Sequence, residues 1–177
     1  IQKSNLNKVY MKIAVLDGYT SNPGDLSWDA FEKLGELTVH DRTKPEEVVS
    51  RCAGCEVVFT NKVVMDAGIM DQLPDLKYIG VLATGTNGID LELAGKKGVC
   101  VTNIPGYGTD SVVQHILAFM LHFSSKVSIH DEAVHQGDWV NSKDFCFTLG
   151  TLNELSRATL GIIGLGPIGR KLAKVAD

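Results

Sequence analysis

The sequence lacks any apolar run approaching the roughly 18 residues that a membrane-spanning helix needs. It also lacks a basic stripe. Lys and Arg number 17 against 21 Asp and Glu, for a net charge of −4 and a pI of about 5.7. A chain so balanced offers no electrostatic footprint for nucleic acid or an anionic membrane, and neither partner is expected. The opening "IQKSNLNKVY" has no apolar core of the signal-peptide kind. Residues 1–10 read as a leader, a tag or a short native extension, and "MKIAVLD" from Met11 reads as the start proper. The four cysteines, with no export signal before them, suit a reducing cytoplasm rather than a disulfide framework. No internal repeat, no Ser/His/Asp spacing and no paired carboxylates stand out.

What is present is a rhythm. "KIAVLD" (12–17), "ELTVH" (36–40), "EVVFT" (56–60), "KYIGVL" (77–82) and "VCVTN" (99–103) are short, apolar and rich in β-branched residues. Helical patterns and turn signals fall between them. That alternation predicts βαβ units around a parallel sheet covered on both faces, a flavodoxin-like α/β domain over 11–103. "TKPEEVV" predicts a capping box from Thr43 to Glu46 with Pro45 in the first turn, and Gly54 as the stop. Asp90 and Gly98 bracket the next helix.

"NIPGYGTD" (103–110) breaks the rhythm and reads as a hinge. Apolar residues at 112, 113, 116, 117, 120 and 121 then predict a long amphipathic helix capped by Thr109 or Asp110. Residues 126–157 have mixed polarity and no clear period. They read either as an arm burying Trp139 and Phe145 against another subunit, or as a loop over their own domain.

"LGIIGLGPIGRKLAKVAD" closes the sequence. Residues 160–163 read as a strand. Gly164, Gly166 and Gly169 make the G-x-G-x-x-G that bends tightly, admits a pyrophosphate to backbone N–H groups and lets helix pack on strand. A pyrophosphate would lie at the helix N-terminus beyond Pro167, where the dipole favours anions. The acidic residue that holds a ribose in such folds would fall past Asp177.

"LATGTNGIDLELAGKKGVCVTNIPGYGTDSVVQH" (82–115) together with "LGIIGLGPIGRKLA" (160–173) resembles the D-isomer-specific 2-hydroxyacid dehydrogenases, most closely the hydroxypyruvate reductase and glycerate dehydrogenase branch. The resemblance runs from Met11 onward. It implies a substrate domain over 11–103, followed by the opening portion of an NAD(P)-binding Rossmann domain over 104–177 with a dimerisation arm at 126–150. On that template the chain reads as the N-terminal part of a longer homodimeric enzyme.

The resemblance implies that the backbone at Leu82, Ala83, Thr84 and Gly85 holds a substrate carboxylate. By pattern alone the same residues make an ordinary strand-to-helix turn that needs Gly85 and Gly88. Thr109 would touch the nicotinamide end of the cofactor, and Pro167 and Ile168 would flank the pyrophosphate beside Gly164, Gly166 and Gly169. The implied cofactor is NAD or NADP, with NADH the preferred expectation. The implied reaction is reduction of a small 2-keto acid such as hydroxypyruvate or glyoxylate to the D-2-hydroxy acid.

The family's catalytic arginine, its acidic partner and its general-acid histidine would come later in the chain, so no catalytic residue is expected within these 177 residues. His115 and His122, seven apart on one helical face, read as packing histidines. His130 and His135 read as solvated residues of the arm.

"CAGC" (52–55) ends a helix instead of starting one, so the dipole has the wrong sign for a redox thiolate. One such pair is also only half a zinc site, and no metal is expected. Two alternatives stand beside the reductase. One is a phosphoglycerate- or formate-dehydrogenase-like enzyme; the absence of an arginine ahead of "LATGTN" disfavours the phosphoglycerate branch. The other is a dinucleotide-sensing corepressor built on the same architecture.

Overall fold

A computed structural model describes residues 10–177. Its contacts divide the chain into two compact units, Ile1–Pro105 and Gly106–Asp177. The leader reading for residues 1–10 falls outside the described residues except at Tyr10.

In the first unit every expected apolar run becomes a strand: β1 (Lys12–Val15), β2 (Glu36–Val39), β3 (Val57–Thr60), β4 (Tyr78–Val81) and β5 (Cys100–Thr102). They form one sheet in the order β2-β1-β3-β4-β5, and every pairing is parallel. Short helices connect them: α1 (Gly18–Ser21), α2 (Asp29–Glu32), α3 (Val48–Cys52), α4 (Ala67–Met70) and α5 (Leu91–Lys97).

The strand order explains how the faces are covered. From β2 the chain steps one way across the sheet, to β3, β4 and β5, so right-handed crossovers put α3, α4 and α5 on a single face. Val48, Cys52, Met70 and Ala94 from those helices share one core with Ala14, Leu16, Val58, Ile79 and Val81 from the strands. The other face has only the β1-to-β2 connection. There Trp28, Phe31, Phe59 and Tyr78 form a row of edge-to-face rings with centroids 5.5, 4.9 and 5.9 Å apart. Gly80 makes room for that row, because a Cβ there would lie 2.4 Å from the Phe59 ring.

Helix ends show what the sequence could and could not signal. The Asp90 carboxylate accepts from the Leu93 N–H at 2.9 Å, and Gly98 ends α5 at φ 71°. Gly54 follows α3 at φ 71°. The expected cap at Thr43 is displaced by one residue. The Glu47 carboxylate accepts from the Lys44 N–H at 3.0 Å, a bond that holds its carboxyl below the usual range. Thr43 instead donates its hydroxyl to the Leu16 carbonyl and accepts from Arg51 at 2.7 Å. The helix opens as a 3-10 turn, Pro45–Glu47, before α3. Cys52 is the last residue of α3, and burial pushes its thiol up to about 12, with neighbouring Cys55 adding to the effect. Both cysteines are free and buried, inert in the sense the motif's position suggested.

The second unit contains α6 (Thr109–Ser125), α7 (Val127–His135) and α8 (Pro167–Ala176). No single helix among the described residues is long and apolar enough to cross a membrane. Helix α6 matches the expected span, but Gly108 is its N-cap, and neither Thr109 nor Asp110 caps it with a side chain. Asp110 instead pairs with Lys171 of α8 at 3.0 Å. Val113 of α6 and Leu172 of α8 are buried.

Four further expectations fail in this unit. Residues 127–135 are helical, where no period was evident. His115 and His122 are exposed, because α6 buries only Val113 and Ser124. His130 is not a free solvated side chain. Its Nδ1 contacts the Lys126 carbonyl at 2.8 Å and its Nε2 accepts from the Leu149 N–H at 2.9 Å, fastening the segment after α7. Residues 160–163 are not a strand: no described segment pairs with them, and Ile163 is fully exposed. A strand exists only through its ladder, so an apolar run without a partner stays irregular.

Candidate functional site

Because the strands are parallel, their carboxyl ends open on one edge of the sheet, where ligands of open α/β folds bind. The loop after β4 lies on that edge. Leu82 extends the ladder by donating to the Thr60 carbonyl at 2.8 Å. Beyond it four of the loop's carbonyls are taken: Ala83 by the Ile104 N–H at 3.0 Å, Thr84 by the Asn103 side chain at 2.7 Å, Thr86 by the Ile89 N–H at 2.9 Å, and Gly88 by the Met65 N–H at 2.8 Å. The N–H groups of Thr84, Gly85 and Thr86 donate to no other described residue. A turn with three consecutive free donors and most of its acceptors consumed is chemically a receptor for an anion.

The four residues expected here divide. Gly85 lines a cleft of about 350 Å³ with Thr60, Asn61, Lys62, Val63, Val81, Asn87, Gly88 and Ile89. Ala83 is buried in the core, Leu82 is half-buried, and the Thr84 hydroxyl donates to the Ile104 carbonyl at 3.1 Å. Asn61, Lys62 and Asn87 went unnoticed in the sequence. For Asn61 and Lys62 the available signal was their position, polar residues directly after the apolar strand β3, whose carboxyl end faces a ligand edge. Lys62 forms no ion pair among the described residues, which leaves a cation beside the free amides. A second, larger cleft of about 570 Å³ shares Lys62 and Val63 with the first and is also lined by Asp17, Arg42 and Ile69 among others.

In the second unit the three glycines occupy three different situations. Gly164 has φ 94°, a left-handed value that favours glycine. Gly166 is the N-cap of α8, and a Cβ there would meet nothing within 4 Å. Gly169 is buried, and its Cβ would lie 2.2 Å from the Gly164 carbonyl oxygen, so only glycine lets α8 seat against the turn. Pro167 is the first helical residue and has no N–H to leave unsatisfied, which puts the unpartnered donors of the first turn at Ile168 and Gly169. A cleft of about 420 Å³ runs along this turn, bounded by Ile116, Ile162, Gly164, Gly166, Ile168 and Leu172 among others. The open space at Gly166 and the donors behind it fit a pyrophosphate. Thr109 is the first residue of α6, and its N–H donates to the Gly106 carbonyl at 3.2 Å.

The profile described as "D-isomer specific 2-hydroxyacid dehydrogenase, catalytic domain" matches residues 13–163. The chain belongs to this family. Among its relatives is a hydroxypyruvate reductase of Blautia hydrogenotrophica, 46% identical over 170 residues, covering 94% of this chain and 53% of the relative. A glycerate dehydrogenase of Methylorubrum extorquens is 40% identical over 133 residues, covering 75% of this chain and 42% of the relative. The chain thus spans about half the length of the curated relatives it matches. An acyclic imino acid reductase solved with NADPH and D-Arg shares the fold at a TM-score of 0.74 and 24% identity, over 94% of this chain and 52% of that one.

The glycine turn makes a direct prediction. Gly169→Ala is expected to cost about 1–3 kcal/mol by overpacking against the Gly164 carbonyl, while Gly161→Ala, which faces open space, leaves stability unchanged. Urea midpoints of the two variants check it; equal midpoints would mean that the helix does not seat as described.

Proposed function

We propose that this chain supplies the carboxylate-binding half of an NAD(P)-dependent reductase that converts hydroxypyruvate or glyoxylate to D-glycerate or glycolate. The observation that carries the reading is the β4 loop, with free N–H groups at Thr84, Gly85 and Thr86 beside the unpaired Lys62. A small 2-keto acid has one fixed carboxylate and one reacting carbonyl. Holding the carboxylate on backbone donors fixes the carbonyl in position, which lowers the entropy cost of the later step. Names of the relatives support the choice of hydroxypyruvate, glyoxylate and glycerate as the substrate class.

On this reading Ile1–Pro105 is the substrate domain, and Gly106–Asp177 is the opening of the nucleotide domain. Gly164, Gly166, Pro167, Ile168 and Gly169 would hold the pyrophosphate of a nicotinamide dinucleotide at the N-terminus of α8, with Thr109 toward the nicotinamide. Bound there, the dinucleotide would supply the hydride. NADH is the form we favour. The buried free thiols suit a reducing cytoplasm.

Association follows from what the second unit leaves uncovered. Phe119, Leu121 and Phe123 on α6, Val127 on α7, and Trp139 and Phe145 beyond it are exposed. We infer a homodimer built on the 109–123 helix and the 126–150 arm. Light scattering is expected to give twice the 19.1 kDa chain mass; a stable monomer at high concentration contradicts the assignment.

Two measurements test the functional reading. Hydroxypyruvate is expected to bind the 177-residue chain, and Gly85→Pro, which deletes one donor, weakens that binding roughly 10-fold. Mixed with hydroxypyruvate and NADH or NADPH, the same chain is expected not to oxidise the cofactor, because the arginine, acid and histidine that the family likeness calls for are not among its residues. Turnover in the common enzyme range of about 1–10³ per second would show that the catalytic groups have been misplaced.

A further inference from the structure

The loop after β3, the wall facing the β4 loop, is fastened by an acid from the end of β1. Asp17 is 4% exposed. Its Oδ1 accepts from the Asn61 N–H at 2.7 Å and its Oδ2 from the Lys62 N–H at 2.6 Å. The Asn61 side-chain amide donates to the Thr20 hydroxyl at 2.9 Å, and that hydroxyl donates to the Asp17 carbonyl at 2.8 Å. The ring so formed joins parts of the chain 44 and 45 positions apart. Two backbone donors converging on one carboxylate form an anion receptor, and here the anion is part of the chain.

The two adjacent loops are therefore the same kind of device in opposite states. After β3 the donors are saturated by Asp17. After β4 the donors of Thr84, Gly85 and Thr86 are free. We propose that Asp17 is a positioning residue: it fills the β3 receptor, so that an incoming carboxylate goes to the β4 loop, and it holds Asn61 and Lys62 as the facing wall of the cleft. Without the Asp17 carboxylate, two neighbouring receptors would compete for one anion, and the loop carrying Lys62 would lose both bonds that fix it. The inference rests on the proposed carboxylate site and deepens it.

The test uses the 177-residue chain with oxalate, a dicarboxylate with no reducible ketone, followed by amide NMR. In the wild type, oxalate shifts the Thr84, Gly85 and Thr86 amides, while those of Asn61 and Lys62 exchange slowly. In Asp17→Ala the Asn61 and Lys62 amides lose protection and the oxalate Kd rises roughly 10- to 100-fold. Added formate, which can replace the missing carboxylate, restores both; formamide, similar in shape and uncharged, restores neither. Met70→Ala, a core truncation in α4 that lines neither cleft, leaves the Kd unchanged and removes general destabilisation as an explanation. If Asp17→Ala does not fold, Asp17→Asn is read in its place, with a rise in Kd as the supporting result. Unchanged protection, or a Kd within twofold of wild type, overturns the proposal. Failure of wild-type oxalate to shift the β4 amides contradicts the carboxylate site itself, and the formate arm on Asn61 and Lys62 still decides whether Asp17 pins the loop.

Discussion

The candidate site of the first unit depends on one constraint: a backbone N–H beyond the end of a parallel strand needs an acceptor, and the strand ladder no longer provides one. At the carboxyl edge of this sheet the chain answers in three ways. Leu82 borrows one more carbonyl from β3. Asn61 and Lys62 take the buried carboxylate of Asp17, just beyond β1. Thr84, Gly85 and Thr86 take nothing from the described residues. The third answer is where a ligand enters the account. The other two hold the edge still, so that the free donors keep a fixed direction.

The sheet itself was legible because its central strands β1, β3 and β4 are short apolar runs, the form a strand buried on both faces takes, while the largely exposed edge strands β2 and β5 were legible from their β-branched residues and their spacing. Gly54, Asp90 and Gly98 were legible because their roles are local, settled within a turn of the helix they end or begin. Thr43 misled because its hydroxyl serves the Leu16 carbonyl 27 residues away, which leaves the helix to start one residue later. Asp17, Asn61 and Lys62 were invisible for the same reason on a longer scale. In the sequence they are two strand ends with nothing to link them, and only the parallel pairing of β1 with β3 brings them together.

The second unit shows the complementary failure. "LGII" has the composition of a strand, yet no described segment offers it a ladder, and it remains irregular. The turn that follows keeps its geometry nonetheless, because Gly164, Gly169 and Pro167 act through local backbone angles and close approach. Sequence motifs built on local sterics thus persist where motifs built on pairing do not. Family membership is secured along most of the chain, and the free donor groups fall in two places, the β4 loop of the first unit and the first turn of α8 in the second.

The most direct measurement is a crystal structure of the chain grown with hydroxypyruvate. The account predicts the carboxylate in the β4 loop, with its oxygens about 2.7–3.2 Å from the N–H nitrogens of Gly85 and Thr86, and Asp17 still bonded to Asn61 and Lys62. A carboxylate seated on the Asn61 and Lys62 amides, or at saturating concentration no carboxylate in this cleft, would contradict it.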